Sequence, residues 1–279
     1  LKHTIQFVYD RRPDLRQKPG AAQAEPTPPA AAPSPGAAGV KVIAGSMEAA
    51  AALPRRAPVP LIRPALKFCK ATGVRLTPDS RVIVMCDQGG VGKALAGKLE
   101  KLGAQVLLVS DAPEADTLIR RIEEWKEQGS IQGVYWLPAL DHEGDVATMD
   151  LAAWREATRV RVKLLYAAMR SLYDHVGLYG TFLVSATRLG GLHGYDRAGA
   201  VAPLGGCVAG FTKAFKREKG EALVKVVDFE PSRKTSALSE LLIEETLLDP
   251  GAVEIGYRGG HRWSIGLEEQ PLSDGMPAM

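Results

Sequence analysis

The stretch RVIVMCDQGGVGKALAGKLEKLGAQVLLVSD, residues 81–111, constrains the fold of this 279-residue chain more than any other. Its opening apolar run, rich in Val and Ile, suits a strand buried on both faces of a parallel sheet. A glycine-rich turn follows. The next segment places Ala94, Leu95, Leu99 and Leu102 on one helical stripe and stops at Gly103, a natural C-terminal cap. A second apolar run, AQVLLVS, ends on Asp111. The same alternation continues downstream. EADTLIRRIEEWKEQG, GGCVAGFTKAFKREKG and ALSELLIEETLLD read as helices, and GVYWLPA, GTFLVSAT and ALVKVVDFEP as strands. DLAAWREATRVRVKLLYAAMRSLYDHV reads as one long helix with Asp150 as its N-cap. AVEIGYRGGHRWSIGL closes the series as a strand pattern punctuated by glycine. Alternation of this kind predicts an α/β fold, a doubly wound parallel sheet, over residues 58–268.

Composition changes sharply ahead of that region. Residues 20–39, GAAQAEPTPPAAAPSPGAAG, carry one charge and little else than Ala, Pro and Gly, the composition of an extended linker. Residues 1–57 are therefore expected to hold a linker and the tail of a preceding domain, and 269–279 a C-terminal linker. The chain begins on Leu1, which reads as a piece cut from a longer protein. Its 35 basic and 32 acidic residues are scattered, so nothing points to nucleic acid. No apolar run approaches the length of a membrane span, and no secretory signal is present. Cys69, Cys86 and Cys207 lie far apart, which argues against a disulfide framework or a zinc site and for a cytoplasmic setting; no metal ligand set is expected.

The turn Gln88–Gly92, QGGVG, lies between the first strand and its helix, where a dinucleotide's pyrophosphate is cradled. Gly89 and Gly90 would let the backbone turn and approach the phosphates, beside Gln88 and Val91, and Gly92 would let the helix pack closely. Asp111, 21 residues after Gly90, is placed to accept hydrogen bonds from an adenosine ribose. Where such folds usually carry a first glycine, this chain has Cys86 and Asp87.

In SRVIVMCDQGGVG, VRVKLLYAAM, FLVSATRLGGLHGY and GGCVAGFTKAFKRE followed by VKVVDFEP, the chain resembles the short-chain dehydrogenase/reductases (SDRs). Within them it resembles the ketoreductase domains of polyketide synthases, of the iterative enediyne and polyunsaturated-fatty-acid type. The likeness spans roughly residues 60–265. It implies a Rossmann-like fold, NADPH as cofactor, and reduction of a β-ketoacyl group carried by an acyl carrier protein. Neighbouring synthase domains would be partners, and a homodimer could form through the parent synthase. It also implies a lysine, a serine and a tyrosine around the ketone. Lys163 and Ser185, 22 residues apart, take the first two roles, and Tyr195, ten residues further on, the third. Such residues suit the chemistry, because hydride arriving at a carbonyl leaves an alkoxide that needs a positioned proton donor and nearby positive charge.

The sequence departs from the family in three places. No YxxxK or YxxxN surrounds Tyr195, and His193 is a second candidate proton donor. Asp111 replaces the arginine that favours NADPH, so NADH stays open. WLPALD replaces a small Asn-Ala-Gly element and is expected to crowd the nicotinamide side. The leading expectation is a ketoreductase; the alternative is a catalytically silent ketoreductase-like domain that scaffolds its neighbours.

Overall fold

A computed structural model describes residues 54–231 and 235–270. The expected N-terminal linker up to residue 53 and residues 271–279 lie outside the described residues. Eight strands form one sheet: β1 (Arg56–Ile62), β2 (Arg81–Met85), β3 (Gln105–Val109), β4 (Gly133–Ala139), β5 (Phe182–Thr187), β6 (Leu223–Phe229), β7 (Glu254–Arg258) and β8 (His261–Glu269). Their order is β1-β8-β7-β6-β5-β4-β2-β3. All pairings from β3 to β7 are parallel, and β8 and β1 are antiparallel additions at one edge.

Strand alternation sorts the core into two layers. On one face Val82, Val84, Tyr135 and Val184 pack against α1 (Val91–Lys101), through Leu95 and Leu99, and against α6 (Thr235–Leu247), through Leu238 and Leu242. On the other face Ile83, Met85, Trp136 and Leu183 meet α2 (Ala115–Glu127), α4 (Leu164–Ser171) and α5 (Gly205–Glu218). The doubly wound parallel sheet predicted from the sequence is the fold observed.

Three local features differ from the sequence reading. The long helix is interrupted: α3 (Leu151–Thr158) passes through a π turn, Arg159–Lys163, into α4, which ends at Ser171. Its N-cap is the expected one, since the Asp150 carboxylate accepts from Ala153 N at 2.7 Å. The glycine-punctuated final strand is a hairpin, because Gly259 (φ 60°) and Gly260 (φ 73°) reverse the chain between β7 and β8. Strand β1 begins at Arg56, ahead of Pro58, where composition alone starts the fold.

Edge strand β1 shows why prolines are tolerated there. Arg55 O accepts from Gln270 N, and Arg63 N donates to Arg262 O, both at 2.9 Å, so odd-numbered residues face β8. Pro58 and Pro60 therefore fall on the free edge, where a missing N–H blocks further strand addition.

Beneath this ribbon lies a buried ionic cluster. Lys225 Nζ donates to Glu245 Oε2 at 2.8 Å, and Arg262 bridges Glu245 and Asp249. Arg63 completes it by donating to Asp249 Oδ1 at 2.6 Å. Both guanidiniums hold the Asp249 carboxyl well below the usual range against the opposing effect of burial, the larger single influence.

Candidate functional site

Chain order defines where a ligand would lie. The chain passes from β2 to β3 on one side and returns to β4 on the other. The strand order therefore reverses between β2 and β4, and the crevice at their C-terminal ends is the expected binding position. Residues 86–90 form one wall and 139–141 the other.

The glycine turn has the backbone geometry of a phosphate cradle. Gly90 is left-handed (φ 89°) at the N-cap of α1, and a Cβ on Gly92 would lie 2.7 Å from the Cys86 sulfur. The close strand–helix packing expected of Gly92 is present. Three of the turn's amides, however, are already bonded. Asp87 folds its carboxylate back over the helix start, accepting from Gly92 N at 2.7 Å and Val91 N at 3.1 Å. Asp141, at the end of β4, reaches across the crevice and accepts from Gln88 N at 2.7 Å. These N–H groups are the ones a pyrophosphate would use.

The charges of this closure are protein charges, with Asp87 buried, Asp141 partly buried and the turn residues Gln88 and Gly89 exposed. Burial pushes the Asp141 carboxyl above its ordinary range, and the Asp87 charge adds to this. The amides of Gln88 and Gly89 and the charge of Arg161 work in the opposite direction. Cys86, raised to about 11 by burial and then by Asp87, stays a neutral thiol. An incoming pyrophosphate would have to displace two carboxylates and then remain beside them. The residues present do not fit that group.

The nicotinamide end is built differently from the expected one as well. WLPALD buries Trp136, whose indole N–H donates to Arg161 O at 2.7 Å, and delivers Asp141 to the turn. Arg161, not Lys163, points inward from the π turn. It is buried, donates to Asp141 O at 3.1 Å and lies 3.8 Å from the Glu143 carboxylate. Glu143 in turn accepts from Leu204 N at 3.0 Å, tying the loop after β5 to this wall.

The three expected catalytic side chains are not brought together. Lys163 is exposed on the outer side of the π turn. Ser185 lies inside β5, two residues short of its end, fully buried and hydrogen-bonded to Thr212 Oγ1 at 2.9 Å. Tyr195, half-exposed, lines a cavity with His193 that includes neither of the others. Asp111, expected at a ribose, is exposed and held by Arg121 through two bonds of 2.7 and 2.9 Å, which lower its pKa.

Sequence reasoning missed Asp228. Fully buried at the end of β6, it accepts from Thr187 Oγ1 and from the amides of Leu189, Gly191 and His193 at 2.6–2.9 Å. The loop after β5 is thus wound around one carboxylate. The available signal was an acid near the end of a strand, LVKVVDF, that is apolar apart from it and Lys225.

No known family description matches this sequence, and a comparison with curated proteins finds no match. Solved structures give a clear likeness of fold. A short-chain dehydrogenase/reductase from Serratia marcescens superposes with a TM-score of 0.51 at 15% identity, over 66% of this chain and 98% of its own. A dehydrogenase/reductase from Sinorhizobium meliloti 1021 gives the same score and identity, over 66% and 95%. The chain therefore has the Rossmann-like fold of the SDR oxidoreductases. Among the described residues, no helix is long and apolar enough to cross a membrane.

Proposed function

We propose that this is a reductase-fold scaffold of a polyketide-synthase-type chain, catalytically silent because its own dinucleotide crevice is closed. One observation carries the reading: three amides of the glycine turn are taken by Asp87 and Asp141. The scattered positions of Lys163, Ser185 and Tyr195 agree with it. The synthase setting rests on the resemblance of the quoted motifs to ketoreductase domains of the iterative type. The partners would then be neighbouring synthase domains, in the cytoplasm. A fold does not bring its chemistry with it, and here the chemistry-bearing positions have been reassigned to packing and closure.

The ketoreductase reading, with NADPH or NADH reducing a carrier-bound β-ketone, keeps one observation in its favour. Tyr195 and His193 line a cavity beside the loop leaving β5, where a ketone-binding group would be wanted. Titration of the domain with NADPH and with NADH, followed by calorimetry, separates the two. No saturable binding of either below millimolar concentration, and no oxidation of NADPH with a β-ketothioester, is the expected outcome. Micromolar binding with turnover that falls in Tyr195→Phe would overturn the scaffold reading.

A further inference from the structure

A cavity of about 500 Å³ lies between α6, the β7–β8 hairpin and the segment that follows β1. Its apolar lining comes from Ile62, Leu66, Leu241, Leu248 and the ring of Tyr257. Ile62 is 68% exposed, an apolar side chain left facing water. That size, and an apolar lining with a few charged groups, are the make-up of a small-molecule site. The charged groups do not balance. Arg63, Lys67 and Arg262 line the cavity against, among the described residues, a single carboxylate, Glu244. The buried cluster behind them does not restore neutrality. Its acids are Glu245 and Asp249, and Lys225, which donates three bonds as an ammonium does, offsets one of them. Four cations thus meet three carboxylates. Two of the cations are also not fully used. Arg63 gives Nε and Nη2 to Asp249, while its Nη1 makes no hydrogen bond and is not shut off from solvent. Lys67 is exposed and forms no ion pair among the described residues, its Nζ lying 5.0 Å from the centre of the Phe68 ring.

We propose that this cavity binds an amphipathic anion, a medium-chain carboxylate. The head group pairs with Arg63 and Lys67, and the alkyl chain lies along Leu66, Leu241 and Leu248. The excess of positive charge selects the head, and the apolar lining selects the tail. Different elements build this cavity and the glycine turn, so the site does not depend on how that turn is read.

Calorimetric titration of the full chain with butyrate, hexanoate and octanoate is expected to show affinity rising about two- to fourfold per methylene, the gain from burying each one. Octanol keeps the tail and loses the charge, and should bind about tenfold more weakly than octanoate. Octyltrimethylammonium, with the charge reversed, should not bind. Lys67→Glu and Ile62→Glu each bring a carboxylate to the lining. Both side chains are exposed, so the fold persists, and octanoate binding should fall about tenfold or more. Equal affinity for butyrate and octanoate would mean an adventitious ion only and would overturn the proposal. So would octanol or octyltrimethylammonium binding as tightly as octanoate, octanoate binding unchanged in either folded variant, or no saturable octanoate binding in the millimolar range.

Discussion

Removing the Asp87 carboxylate is the most direct probe of the closed turn. It bonds Val91 N and Gly92 N at the positive end of α1, as an N-cap does, and Asp87→Ala should destabilise the domain by about 2 kcal/mol. The same change frees two amides for an anion. A charge-assisted hydrogen bond contributes about 1.5 kcal/mol or more, so occupation of three amides withholds roughly 4.5 kcal/mol from a dinucleotide. A cofactor that would bind at about 1 μM, near 8 kcal/mol, is thereby moved beyond 1 mM. Freeing two of the three returns roughly 3 kcal/mol, or about two orders of magnitude. Calorimetric titration with inorganic pyrophosphate and with NADPH, beside urea melts, reads both effects at once. Asp87→Asn, which keeps one acceptor, should lose less stability and gain less affinity. Unchanged stability with no gain in anion binding in Asp87→Ala would refute the reasoning, because the carboxylate would then not be holding the amides.

Asp141 should behave in the opposite way from Asp87. Its pKa is raised in the folded state, so ionisation at neutral pH opposes folding, and wild type gains stability as pH falls through that raised value. Asp141→Asn, whose amide oxygen can still accept from Gln88 N, should fall no more than about 0.5 kcal/mol below wild type at pH 7, checked by urea melts at pH 7 and 5. Glu245→Gln breaks the buried cluster around Lys225 and Arg262 and should cost about 3–5 kcal/mol in chemical unfolding. The depressed Asp249 carboxyl stabilises the fold above its unfolded pKa, about 4, and that contribution is lost progressively below it, which acid titration of the melting temperature would show. Gly256→Ala places a Cβ 2.0 Å from Gly191 O, backbone against backbone, and should cost about 3 kcal/mol while loosening the loop after β5, measured by hydrogen exchange at its amides.

The sheet was legible because its signal is distributed. Val82 and Val84 face one layer and Ile83 and Met85 the other, so β2 must be an apolar run without gaps, and each parallel strand repeats that requirement. Strand β1 escaped notice because RAPVPLI has half-exposed residues and two prolines, which only its place on the free edge explains. The hairpin between β7 and β8 was present as YRGGHR, where two adjacent glycines signal a tight reversal.

The candidate site was not legible in the same way, since its signal lies in a few side chains whose directions no periodicity fixes. The distance from Lys163 to Ser185 matches a catalytic lysine, but distance along the chain does not fix which way a helical side chain faces. A π turn widens the helix by one residue, and each residue advances the facing direction by about 100°. Within that turn Arg161 is buried and Lys163 exposed. Cys86 and Asp87 were visible as departures from a glycine turn, but which amides Asp87 would bond depended on how its side chain folds back. The partner carboxylate, Asp141, comes from 53 residues away from Gln88. Closure of the turn is thus a tertiary event between β2 and β4, and it requires no change in the pattern that builds either strand. The apolar alternation that specifies this fold and the few polar contacts of the glycine turn are separable: the Gln88 amide ties the turn to Asp141 after β4, while the amides of Val91 and Gly92 at the start of α1 are taken by Asp87.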